Sequence, residues 1–109
     1  MKNRHPNHRR GEISAVLDGK EYILCLTLGA LVELESAYGG EDLLQLAARF
    51  ETGRIMAGDA IRIIGAGLRG AGENISDDKV AGMSVEGGAL GFVRIVARLL
   101  TATFGSPDE

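Results

Sequence analysis

The sequence predicts an α+β protein, an N-terminal antiparallel β-hairpin followed by about four to five helices packed as a small bundle. Three observations carry this. Apolar residues alternate on both sides of Asp18-Gly19, and Asp-Gly is a strong hairpin signal because a type I′ turn needs positive φ at both central residues. Beyond residue 28 the apolar residues recur at helical spacing and are punctuated by glycines. The 109 residues leave only two to six between predicted elements, which fits one compact unit. The expected division is a disordered basic arm at 1–10, one α+β domain at 11–105 and a disordered tail at 106–109.

In "EISAVLDGKEYILCLT" (12–27), Ile13, Ala15 and Leu17 alternate with Ser14 and Val16. Tyr22, Leu24 and Leu26 alternate with Ile23, Cys25 and Thr27. Both faces are fairly apolar, so one should cover helices and the other is free to meet a partner. A lone hairpin is marginal in water and must pack on something.

"TLGALVELESAYGG" reads as the first helix, with Thr27 as N-cap, Leu31, Leu34 and Tyr38 on one face, and Gly39-Gly40 as the stop. "EDLLQLAARFETG" places Glu41 and Asp42 at the positive end of a second helix. Leu43, Leu46, Ala47 and Phe50 line one side of it, and Gly53 ends it. A third helix starts at Gly58 or Asp59 and turns Ile61, Ile64 and Leu68 inward. "SDDKVAGM" is a short helix capped by Ser76, with Asp77 and Asp78 in its first turn.

After Gly87-Gly88, "ALGFVRIVARLLTATF" has the strongest helical pattern. Leu90, Val93, Ala97, Leu100 and Phe104 advance by helical steps and form the expected core row. Phe92, Val96, Leu99 and Thr103 form a second row, widened by Ile95. A helix apolar over most of its circumference is either central in the core or covered on one side by another chain. The second reading makes Phe92, Ile95, Val96, Leu99 and Thr103 the candidate partner-binding residues.

Composition excludes several function classes. The longest apolar stretches fall short of the ~20 residues of a membrane span, and the polar N-terminus is not a secretory signal. The first ten residues hold Lys2, Arg4, Arg9 and Arg10, a charge of +4; against a total of −3, the rest carries −7. An acidic body repels phosphate, and no aromatic residues interleave with the basic ones to stack on bases, so nucleic acid is an unfavoured partner. His5 and His8 make an H-x-x-H spacing without a cysteine, a poor metal site. The single Cys25 excludes an intramolecular disulfide and reads as an inert buried thiol. Glu33/Glu35 and Asp77/Asp78 are spaced so that neither pair shares a helix face, which suits solvated surface better than acid–base work.

"GAGLRG" (65–70) matches G-x-G-x-x-G letter for letter. A dinucleotide loop needs a strand before it, a helix after it and a returning acidic residue. Here the following "AGENISD" has no helical apolar period and brings negative charge to where a phosphate would sit. The alternative is mechanical: small residues at 65, 66, 67 and 70 let a neighbour approach a helix closely and then end it. That reading leaves no cofactor and no catalytic residue, with a nucleotide-dependent enzyme as the remote alternative.

The order "RGEISAVLDGKEYILCLTLGALVELESAYGG", "LAARFETGR", "GAGLRGAG…ISDDKVAGM" and "GGALGFVRIVARLLTATFG" resembles the small gene-transfer-agent family of phage-tail proteins. That family is also described as lambda-like tail assembly chaperones, or as tail tube proteins. The likeness covers residues 10–105, and order and spacing carry it. It implies a non-enzymatic accessory of tail morphogenesis in the cytoplasm of a bacterial host, encoded in a prophage or gene transfer agent. Its implied partners are the tape-measure protein, which it would keep soluble, and the major tail protein. A second copy of the chain is a further possible partner, and a structural tube component is the alternative role.

Overall fold

The computed structural model describes residue 6 and residues 10–40, 43–52 and 54–105. The remainder of the basic arm with both histidines, Glu41 and Asp42, Gly53 and the tail 106–109 lie outside the described residues.

Strands β1 (Glu12–Leu17) and β2 (Lys20–Cys25) pair antiparallel, with Leu17 opposite Lys20 and Glu12 opposite Cys25. Five helices follow: α1 (Leu28–Ala37), α2 (Leu43–Glu51), α3 (Ala57–Gly70), α4 (Asp77–Ala81) and α5 (Gly88–Phe104). The architecture is the predicted α+β arrangement of hairpin and helices.

The hairpin turn has φ of 54° at Asp18 and 75° at Gly19, positive at both central residues as its sequence requires. Asp18 also fastens the turn to the loop between α4 and α5. Its Oδ1 accepts from Ser84 N at 2.8 Å and from Ser84 Oγ at 3.2 Å, and its N–H donates to the Ser84 carbonyl at 2.8 Å. One hairpin face sends Ile13, Ala15, Leu17 and Leu24 into the core. On the other, Ile23 and Cys25 are also buried, whereas Val16 is exposed. The Cys25 thiol donates to the Arg10 carbonyl at 3.4 Å. Burial, and secondarily the nearby Glu12 charge, push its pKa up. It is therefore a protonated, unreactive thiol at neutral pH.

The predicted caps of α1 and α4 are formed. Thr27 Oγ1 accepts from Ala30 N at 3.1 Å, and Ser76 Oγ accepts from Lys79 N at 3.2 Å. Helix α3 begins one residue ahead of the earlier predicted start, because the Asp59 carboxylate reaches back to accept from Met56 N at 3.0 Å.

The central helix is α3, not α5. It packs on β2, α1, α4 and α5, and Ile63, Ile64, Ala66 and Leu68 are fully buried. Ile64 and Leu68 face the core as predicted, while Ile61 is only half-buried. This crowding explains "GAGLRG". All six residues are helical, so their backbone belongs to α3 and no phosphate-cradling loop exists there. A Cβ on Gly67 would sit 2.8 Å from Leu99 Cδ2 and 3.3 Å from Leu24 Cβ, so its absence lets α5 and β2 approach. A Cβ on Gly70 would run into the Cys25 carbonyl oxygen, and one on Gly65 into the Asp77 carboxylate. The motif is a packing surface.

Helix α5 inverts the predicted rows. Ile95, Val96 and Leu99 are buried and Phe92 and Thr103 half-buried, whereas Leu90 is 57% exposed and Phe104 38%. The two rows have the same spacing and adjoin each other on the helix, so periodicity could not choose between them. The glycine-thinned face of α3 decides, because Leu99 fits over Gly67.

Candidate functional site: an apolar groove between α3, α4 and α5

The first half of α3, the short α4 and the first half of α5 meet around a cleft of about 300 Å³. Small side chains create it. Ala57 and Ala60 from α3, Ala81 from α4 and Ala89 from α5 leave space that larger residues would fill. Ile64 and Val80, both buried, form its base. Ile55, Ile61, Phe92 and Val93 wall it, and Met56, 73% exposed, stands at its mouth. Every lining side chain is apolar. A site for a polar metabolite brings a few convergent polar groups to orient its ligand; this lining suits the apolar stripe of a helix.

Two polar ties hold α3 in place beside the groove. At its start, the buried Asp59 carboxylate accepts from the Tyr38 hydroxyl at the end of α1 as well as from Met56 N. The Arg62 guanidinium lies over the Tyr38 ring at 5.4 Å. Burial, and then the bond to Asp59, push the Tyr38 pKa from its ordinary 10 up to about 12. At its end, Arg69 pairs with Glu33 of α1 and with Asp77 of α4 at 3.0 Å, and donates from Nη1 to the Ile75 carbonyl at 2.8 Å. These bonds engage Asp59 and Arg69 structurally.

The tyrosine tie gives a pH prediction. With the folded pKa raised, the stabilising contribution of Tyr38 is complete below pH 10 and is lost as pH rises toward about 12, because only the unfolded chain releases the proton in that window. Tyr38→Phe, which leaves a buried Asp59 oxygen short of a donor, should cost about 1–3 kcal/mol at neutral pH. Thermal melts of both proteins from pH 8 upward should show that difference narrowing between pH 10 and 12. A constant difference would contradict the assignment.

Of the five predicted partner-binding residues, the groove recruits one, Phe92. Ile95, Val96 and Leu99 lie in the core, where the monomer already covers them, and Thr103 Oγ1 donates to the Leu99 carbonyl at 2.7 Å. The accessible apolar surface of α5 is instead the Leu90 row with Val93. Sequence reasoning missed Ile55, Met56, Ala57, Val80 and Ala89, which lie on separate elements and form a groove only when these are docked. One available signal was the apolar "IRII", which is too wide an arc for a single packed face.

Among the described residues no cluster of His, Cys, Asp and Glu could hold a metal ion. No helix among them is long and apolar enough to cross a membrane. Comparison with curated proteins and with solved structures yields no match. A family model described as phage tail tube protein, GTA-gp10, matches residues 10–106. That span runs from two residues before β1 to two residues beyond α5 and includes every lining residue of the groove. The chain belongs to the phage tail tube protein family, GTA-gp10.

Proposed function

We propose that this phage-tail family member is a non-enzymatic tail assembly chaperone, which binds an apolar helical stretch of the tape-measure protein in the cytoplasm of a bacterial host. The groove between α3, α4 and α5 is the observation that carries the reading. It is concave and lined by apolar side chains, among them the largely exposed Met56. A helix entering it would bury apolar surface at about 25 cal/mol per Å².

Co-expression with the tape-measure protein tests the proposal. The partner should become soluble and co-purify, and the double substitution Met56→Glu with Ala89→Glu should abolish both effects while leaving the fold intact, since both residues line the groove and are exposed. No gain in partner solubility with the unsubstituted chain would end it. The family description favours a second reading, a structural tube component. Exposed Leu28 and Val32, one turn apart on α1, support it as a further apolar surface for subunit contacts. Purified mature tails separate the two, because a tube subunit is abundant in them and a chaperone is absent.

A further inference from the structure

Helix α4 supplies Val80 and Ala81 to the groove. Its five residues make little more than one turn, too short to keep shape or place without tertiary support. Val80 and Met83, just beyond the helix, anchor it in the core. Polar ties from other elements fix its two ends. At the N-terminal end, Arg69 of α3 pairs with Asp77 and donates to the Ile75 carbonyl. At the C-terminal end, Met83 N donates to the Val80 carbonyl at 3.0 Å and continues the turn. The next residue, Ser84, is the one held by the hairpin turn. Asp18 Oδ1 accepts from its N–H and its hydroxyl, and the Asp18 N–H donates to its carbonyl.

Asp18 and Ser84 are both exposed, and neither lines the groove. Beyond Ser84 the chain passes through Gly87 and Gly88, at φ of 93° and 60°, before α5 begins. Glycine backbone has little stiffness of its own, so the Asp18 tie is what braces this end of the wall. We infer that Asp18 is a positioning residue of the groove. By holding Ser84 it keeps α4, and with it Val80 and Ala81, in place before a partner arrives. A wall ordered in advance spares the ordering cost at binding. The consequence for affinity rests on the proposed helix-binding reading of the groove; the bracing of α4 does not.

Two substitutions in the full chain test this. Asp18→Gly accepts the positive φ of the turn without strain and keeps the backbone bond to Ser84, so only the carboxylate is lost. Asp18→Asn keeps an oxygen acceptor and suits the same turn. Hydrogen exchange read by mass spectrometry should show residues 79–84 exchanging about tenfold faster in Asp18→Gly, with α3 unchanged, and at the parent rate in Asp18→Asn. A designed helical peptide with a leucine stripe, followed by fluorescence anisotropy, should bind Asp18→Gly about fivefold more weakly than the parent and Asp18→Asn equally well. Unchanged exchange at 79–84 in Asp18→Gly, faster exchange across α3 and α5 alike, or no recovery in Asp18→Asn would overturn the inference. So would undiminished peptide binding by Asp18→Gly. If exchange rises at 79–84 alone and the peptide fails to bind even the parent, helix binding falls and the bracing role of Asp18 stands.

Discussion

Gly70→Ala is expected to destabilise the protein by about 3 kcal/mol or more, lowering Tm by roughly 10–20 °C. The new Cβ would meet the carbonyl oxygen of Cys25 at the end of β2 and would also stand only 3.3 Å from the Ala30 Cβ. The obstructing atom is backbone in a hydrogen-bonded hairpin, so no rotamer change relieves it. Gly65→Ala should cost less, because the atoms it meets are the side chains of Asp77 and Arg69, which can swing outward at the loss of their ion pair. Gly58→Ala should have the opposite sign. It lies in α3 with open space around it, so alanine's better helix propensity is worth about 0.5–1 kcal/mol there. Thermal melts of the three variants check the order. A harmless Gly70→Ala would refute the packing account of "GAGLRG", and any nucleotide-loop account would predict no such order.

Leu99→Ala should cost about 2–5 kcal/mol, while Leu90→Ala stays within about 0.5 kcal/mol of the parent. Leu99 is fully buried against Gly67, whereas more than half of Leu90 is exposed. Urea denaturation of both variants measures the difference. Equal losses would mean that α5 is rotated, with the Leu90 row inward. A groove variant separates stability from binding: Met56→Ala should keep the fold and weaken capture of a partner helix, and Leu99→Ala should do the reverse at temperatures where it remains folded.

The candidate site was legible only in fragments. The apolar pattern of α5 put forward Phe92, Ile95, Val96, Leu99 and Thr103 together; the fold places Phe92 at the groove and Ile95, Val96 and Leu99 in the core. Met56 at the groove gave no distinctive signal, since a single exposed apolar residue is ordinary on any surface. Tyr38 and Asp59 stand 21 positions apart, and Arg69 and Glu33 stand 36 apart. No local pattern announces such ties.

The features readable without coordinates were the local ones. Asp18-Gly19 demanded a tight hairpin turn, Thr27 and Ser76 capped helices, Gly39-Gly40 ended α1, and "GAGLRG" lacked the strand and helix of a cofactor loop. Each depends on the conformational preferences of a few adjacent residues and on hydrogen bonds that span three or four positions. Tertiary packing decided the rest: that α3 rather than α5 occupies the centre, which of two equivalent rows on α5 faces inward, and that alanines on three helices leave a groove. These depend on shape and volume matching between segments distant in the chain. A single helix with two apolar rows holds no information about which row its neighbour can accommodate. Gly67 supplied that information, by leaving room for Leu99.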